Sequence, residues 1–393
     1  MQLLRTALKE AAWTFLFSRL TILLVSYIGV ILIPQFGTAS PLNCTHGIQP
    51  CLFMWYHWDA AAYTRIAHQG YSFTPDVAFF PLWPLLMHYG GLLLGGFYPL
   101  SYYLAGLLLA NICFFFTLVL LYCLLTEEFE PWLARRALFY ISFYPYALFF
   151  FLGYSESLFV LLCVAVFLLL KRGKALDWWF AGVLGFLVAL TRSSGVLLAI
   201  PLLVMYIRHF WLADKRDQSS FLQKLNAFVP LILIPAAVLA YLAYVGYTKG
   251  SPFLIQWAEA SYWHRHFALI WHTFGPAANS ILHSSRFSLD VLKNSLDMAF
   301  TLLPILALVI GWKRLPLHYS LFALAIMLFS LSFPLGTVNS LAAQPRYMIT
   351  AFPVIVIFAL WGKRTRFDQV YLVVAISVLA VNTILFITHY WVA

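Results

Sequence analysis

Four charged residues in this 393-residue sequence sit where apolar runs begin or end, and each could do chemistry there: Asp59, Glu156, Arg192 and Arg346. Asp59 belongs to His57-Trp58-Asp59-Ala60-Ala61-Ala62-Tyr63-Thr64-Arg65-Ile66-Ala67-His68-Gln69-Gly70-Tyr71. That stretch predicts a helix from Asp59 that stops at Gly70, with Asp59, Tyr63, Ile66 and Gly70 on one face. A carboxylate there can act as a general base toward a hydroxyl, or it can cap the helix by accepting the amides of Ala61 or Ala62. A carboxylate fully used as a cap is a poor base, because amide donors favour its charged form. Glu156, in Gly153-Tyr154-Ser155-Glu156-Ser157, falls between two helices. It either complements a helix dipole or, as an ionisable group at the edge of an apolar bundle, belongs to a site. Arg192 lies in Thr191-Arg192-Ser193-Ser194-Gly195, and Arg346 in Gln344-Pro345-Arg346-Tyr347. Arg346 opens a helix after a proline, where the dipole opposes a cation, so an anion is expected beside it, phosphate foremost. For both arginines the alternative is a side chain reaching interfacial lipid headgroups.

The elements that must position these residues are membrane helices. Only 10% of the residues are charged and 63% are apolar, with 36 Phe, 22 Tyr and 14 Trp, whereas soluble domains carry about 25% charged residues. Ordinary soluble enzymes and DNA-binding proteins are excluded. The net charge of +10 comes from Lys and Arg at the ends of apolar runs, a topology signal and not a nucleic-acid surface. Eleven runs have about spanning length: 13–33, 101–125, 134–153, 156–170, 176–192, 194–210, 227–247, 291–311, 316–333, 347–361 and 370–390. Arg19, inside the first, is expected to snorkel back to the cytoplasm.

The run 79–95 is broken by Pro81, Pro84, Gly90, Gly91 and Gly95. If it does not cross and the amino terminus is cytoplasmic, 16 of the 24 basic residues fall on the cytoplasmic side, as the positive-inside rule asks. It is therefore expected to be a juxtamembrane or re-entrant helix. Residues 34–78 and 248–290 are then external, and loops this long are usually functional. His264-Arg265-His266 and His272, in the second loop, lack a metal-ligand pattern and read as an aromatic, histidine-rich interfacial surface. Cys44 and Cys51 share the first loop and could pair in an oxidising compartment. Asn43-Cys44-Thr45 is a glycosylation sequon if the membrane is eukaryotic and secretory. No Walker loop, Rossmann fingerprint, Asp-x-Asp or His-Glu-x-x-His is present.

The sequence Trp58-Asp59, Ile66-Ala67, Gly70-Tyr71 and Ala78-Phe79-Phe80-Pro81 resembles the PIG-V-like family of GPI mannosyltransferase 2, within the membrane GT-C glycosyltransferases. Tyr154-Ser155-Glu156-Ser157-Leu158-Phe159, Arg192-Ser193-Ser194-Gly195 and Arg346-Tyr347 match later signatures in the same order, so the resemblance spans roughly residues 55 to 360. It implies an all-α polytopic GT-C-like bundle of about eleven transmembrane helices, with juxtamembrane helices in the first external loop (34–100), forming one domain. It further implies an inverting transfer of mannose from a polyprenyl- or dolichyl-phosphate carrier to a lipid-linked or glycan acceptor on the outer or lumenal face. Asp59 would be the general base and Glu156 would orient acceptor or sugar. Arg346 and Arg192 would hold the donor phosphate, and His57, Trp58, Tyr63, Tyr154, Gln344 and Tyr347 would line the substrate. No metal or other cofactor is expected, since arginines can stabilise a lipid-phosphate leaving group. The membrane would be the plasma membrane of a prokaryote, or the endoplasmic reticulum of a eukaryote.

The chief alternative is a lipid or solute transporter, for which an inverted repeat and discontinuous helices near the midplane are expected. A membrane O-acyltransferase would place a histidine deep in a helix. The sequence shows no repeat, and its histidines gather in loops or near helix ends.

Overall fold

Residues 2–34, 51–212, 220–285, 288–336 and 339–392 are described by the computed structural model of the chain. Six helical stretches are long and apolar enough to cross a bilayer: Gln2–Leu32, Leu100–Glu128, Ser193–Phe210, Phe221–Lys249, Leu289–Arg314 and Thr365–Ile387. In chain order the helices are α1 (Gln2–Leu32), α2 (Asp59–Gln69), α3 (Leu82–Leu93), α4 (Leu100–Glu128), α5 (Pro131–Ser142), α6 (Glu156–Arg172), α7 (Ala175–Thr191) and α8 (Ala199–Phe210). They continue as α9 (Phe221–Lys249), α10 (Leu254–Trp257), α11 (Ile270–His283), α12 (Leu289–Gly311), α13 (Leu317–Leu331), α14 (Gln344–Met348), α15 (Pro353–Trp361) and α16 (Thr365–Ile387). The protein is a multi-pass, helical membrane protein, and among the described residues the one β-type pairing is an isolated bridge between Arg265 and Leu335.

Five of the eleven expected runs are shorter than a full span or are interrupted. α6 and α7 have 17 residues each and α13 has 15, where about 20 are needed to cross the hydrocarbon. The run 134–153 is α5 followed by irregular chain and a 3-10 turn, Ala147–Phe150. The run 347–361 is α14, a break, and α15. Both breaks sit beside prolines, Pro145 and Pro353, which have no backbone N–H with which to continue a helical ladder. α3 has only 12 residues, about 18 Å at 1.5 Å per residue, too short to cross, as its glycines and prolines imply. It lies against α4 and α2.

Irregular backbone at membrane depth is tolerated only where its polar groups find partners inside the protein. Side chains from five helices provide them for the chain between α5 and α6. Asn382 of α16 donates to the Pro145 carbonyl (2.9 Å) and Asn111 of α4 to that of Phe151 (3.0 Å). Trp83 of α3 donates to Gly153 (3.1 Å). The Phe150 carbonyl accepts from both Ser157 Oγ of α6 (3.1 Å) and Arg19 of α1 (3.2 Å).

Arg19 thus departs from the snorkelling expectation. It is 5% exposed, and its guanidinium lies 4.4 Å from the Phe114 ring centroid and 5.0 Å from that of Phe15. Aromatic faces attract a desolvated guanidinium, and the carbonyl of a broken helix gives it an acceptor, so it turns inward. The largest of three apolar clusters runs from Ala7 to Val392 and takes in most of the buried residues of α6. Cys113, Cys123 and Cys163 are free thiols; the sequon and the proposed Cys44 pairing fall outside the described residues.

Candidate active site

Asp59 is the first residue of α2, but it does not cap it. The N-cap is Trp58, whose side chain makes no capping bond and whose backbone has φ 49° and ψ −117°. A non-glycine residue held there costs about 1–3 kcal/mol and survives only where surrounding contacts enforce it. The Trp58 ring packs on Phe386 (4.7 Å) and Trp391 (5.5 Å), at the end of α16. Released from capping, the Asp59 carboxylate accepts from Arg346 Nη1 at 2.6 Å.

α2 is fixed from below and from its far end. Arg65 grips buried Asp76 through two bonds, 2.9 and 2.6 Å, a planar fork matched to a carboxylate. Tyr63 OH shares a hydrogen with Ser155 Oγ (3.1 Å), next to Glu156. Tyr241 of α9 donates to the Val77 and Phe79 carbonyls (2.8 and 3.0 Å), tying the first loop to the bundle.

Glu156 opens α6 and is fully buried. Its Oε1 accepts from both Arg346 Nε and Arg192 Nη1. Arg192 ends α7 in extended backbone, and Gly195 completes the turn after it. A Cβ on Gly195 would come 2.3 Å from the Val188 carbonyl oxygen, so only glycine fits there. Arg346 is placed by the short α14, with Pro345 in its first turn and Ala343 at φ 69° before it. Gln344 anchors that helix by bonding the Ser330 carbonyl (2.9 Å) and hydroxyl of α13. The Arg346 guanidinium also faces the rings of Tyr154 (4.5 Å) and Phe149 (5.0 Å).

The structure thus joins Asp59, Arg346, Glu156 and Arg192 in one continuous charged chain from four separate segments. The anion that Arg346 needed at its helix start is supplied by two carboxylates of the protein itself. Tyr63, Tyr154 and Tyr347 border the chain, and Trp58 sets the backbone of Asp59. Gln344 is occupied by α13. His57 is set apart: its carbonyl accepts from Tyr154 OH (3.3 Å) while its ring packs tilted against that of His389 (3.8 Å between centroids). Burial, with His389 adding, pulls His57 down to about 4, so its ring is neutral at pH 7.

The second loop also reaches this place, which the sequence did not reveal. After α10 the chain makes a π-helical turn, Ala258–Tyr262, a geometry frequent at functional sites. Tyr262 packs on Phe73 (5.5 Å) and Trp263 on Phe79 (5.5 Å), and Phe79 packs on Tyr63 (4.9 Å). Burial pushes the Glu259 carboxyl up, opposed by Arg265 and reinforced by the charge of Asp59. Arg265 lies 5.3 Å from the Tyr347 ring, which Arg192 approaches at 5.1 Å. In the sequence Arg265 stood out only within His264-Arg265-His266, read as an interfacial surface, and Glu259 only through the length of the loop. Among the described residues no three His, Cys, Asp or Glu side chains gather as a metal-ligand set.

Residues 9–267 match the family described as Mannosyltransferase (PIG-V). The chain belongs to that family. The PIG-V match covers Asp59, Glu156, Arg192, Glu259 and Arg265, while Arg346 lies beyond it. GPI alpha-1,6-mannosyltransferase 2 of Mus musculus is 30% identical over 208 residues, 49% of this chain and 41% of the mouse protein. Among solved structures, the Archaeoglobus fulgidus oligosaccharyltransferase AglB in complex with an inhibitory peptide and a dolichol-phosphate is 12% identical, with a TM-score of 0.45 over 96% of this chain and 56% of that one. The apo form of the Archaeoglobus fulgidus oligosaccharyltransferase is 14% identical, with a TM-score of 0.44 over 95% and 56%. The chain thus spans about half the length of the proteins it matches.

Proposed function

We propose that the protein is an inverting membrane mannosyltransferase that moves mannose from a polyprenyl- or dolichyl-phosphate carrier to a hydroxyl of a lipid-linked or glycan acceptor. Membership of the PIG-V family supports the sugar. The observation that carries the chemistry is Arg346 standing between Asp59 and Glu156, with Arg192 on the far side of Glu156.

In this reading the acceptor oxygen attacks the sugar's anomeric carbon from the side opposite the phosphate. The bond from that carbon to the phosphate oxygen breaks, its electrons leave with the polyprenyl phosphate, and the acceptor's proton passes to Asp59. The donor diester carries one negative charge and the released monoester two. Asp59 loses one charge as the phosphate gains one, and Arg346 is bonded to Asp59 through Nη1. Its attraction can therefore pass from carboxylate to leaving group as the reaction proceeds, which is stabilisation of charge where it develops. Arg192 keeps Glu156 ionised and fixed during that exchange, and Glu156 holds the other edge of the Arg346 fork. No metal is required in this scheme.

The test is to incubate purified protein with radiolabelled polyprenyl-phosphate mannose and membrane lipids. A new labelled glycolipid or glycan is expected; label that only crosses a vesicle membrane, chemically unchanged, would replace the transferase with a transporter.

The site is proposed to face the outside or lumen, because that arrangement puts most basic residues in the cytoplasm. Ser72→Cys and Tyr98→Cys, at exposed positions of the first loop, should each react with an impermeant reagent from outside when the native cysteines are replaced. Arg135→Cys, at a side chain 54% exposed, should react only from the cytoplasmic side. The reverse pattern would invert the topology.

A further inference from the structure

The charges of the Asp59–Arg346–Glu156–Arg192 chain cancel: two carboxylates meet two guanidiniums. A site that neutralises itself has no net attraction for an anionic donor before reaction begins. Some further cation must receive the phosphodiester, and resting on the reading above, we propose that it is Arg265 of the second loop. Arg265 would bind the phosphate of the lipid-linked donor, while Arg346 and Arg192 hold the carboxylates.

Four observations carry this. Arg265 reaches the chain itself: its guanidinium and that of Arg192 approach one ring, Tyr347, at 5.3 and 5.1 Å, and Tyr347 is the neighbour of Arg346. Among the described residues no carboxylate stands within 4.0 Å of Arg265, in contrast to Arg192 and Arg346. Among the described residues its one side-chain hydrogen bond runs from Nη1 to the Phe333 carbonyl at 3.2 Å, leaving Nε and Nη2 for a ligand. Two parallel N–H groups suit a phosphate.

The fourth observation is that the position is built. Arg265 pairs with Leu335 in a β-bridge, its amide donates to the Glu259 carbonyl (2.8 Å), and Gly336 N donates to His264 O (2.6 Å). His264 has φ 52°, and a Cβ on Gly336 would sit 3.0 Å from the His264 oxygen. The backbone on both sides is thus shaped to hold the arginine in place, and Gly336 of the clamping segment stands eight residues before Gln344, the start of α14, in sequence. Glu259, the nearest acid on the same loop, makes no ion pair with it, and burial favours its neutral form.

The experiment compares farnesyl phosphate with farnesol as ligands of the full-length protein in detergent. Wild type is expected to prefer the phosphate, and Arg265→Gln to lose about 10-fold or more of that preference, the scale of a charge-assisted hydrogen bond. Affinity for the alcohol should stay the same, which loss of fold would not allow. Arg265→Lys should restore part of the preference, since it keeps the charge without the fork. If wild type discriminates and Arg265→Gln discriminates equally well, Arg265 is not the phosphate ligand. If wild type itself shows no preference for phosphate, the phosphate-linked donor fails, and this assignment with it.

Discussion

Asp59→Asn is expected to leave a folded protein that still binds donor but transfers sugar at least ~100-fold more slowly, the lower end of what a general base contributes. Asparagine keeps the size of the side chain and an oxygen that can accept from Arg346, so the charged chain loses little of its geometry. The helix does not suffer either, because Trp58 is the N-cap and the Asp59 side chain caps nothing. What the variant lacks is a place for the acceptor's proton. Single-turnover transfer and donor affinity, measured on the same preparation, separate the two effects. Near-normal transfer would remove Asp59 from the role of base. Wild-type transfer should also be indifferent to a chelator; inhibition reversed by added metal would refute the metal-free scheme.

Arg346→Ala is expected to destabilise the protein by about 3–5 kcal/mol, the range for removing one partner of a buried pair. The loss follows from what is left behind. Glu156 is fully buried and Asp59 only 15% exposed, so without the guanidinium Glu156 keeps Arg192 alone and Asp59 is left out of water without its ion pair. Adding Asp59→Asn should recover much of the loss, because it removes the carboxylate left without a partner while Glu156 keeps Arg192. Arg346→Lys should preserve more stability yet lose most activity, since one ammonium cannot address both carboxylates and a leaving phosphate in the plane of a fork. The denaturation midpoints of the single and double variants in detergent, with transfer rates alongside, test this. An Arg346→Ala protein as stable as wild type would show that the chain has no structural weight.

The residues of the charged chain were legible in the sequence because a charge at the end of an apolar run has few reasons to be there. Asp59, Glu156, Arg192 and Arg346 each stood out for that reason, although nothing local indicated that Arg346 would bond both acids. The helix ends were less legible. Residues 134–153 read as a spanning run because hydropathy does not register that the backbone leaves its helix, and four of the five donors that permit this lie 40 or more residues away in sequence. Arg19 was misread for the same reason: an aromatic cage drawn from α1, α4 and the chain after α5 is not visible from α1 alone. Arg265 was hidden among histidines and aromatics because its approach to Tyr347 depends on two loops meeting. The family resemblance supplied the sugar and the lipid carrier, which no residue spacing could.

The bond from Asn382 to Pro145 joins residues 237 apart in sequence, and Arg19 meets Phe150 across 131 residues. During synthesis Arg19 is therefore available long before the carbonyl it serves, and Asn382 arrives only with α16. Until α16 inserts, the chain ahead of Glu156 lacks one of its donors and Trp58 lacks the Phe386 surface that holds its backbone. Completion of the charged chain's surroundings is thus tied to the insertion of α16, through contacts of long sequence separation of the kind that form slowly. A nascent chain stalled before α16 would already be anchored in the bilayer, yet the backbone that carries Asp59 would lack the surface that fixes it.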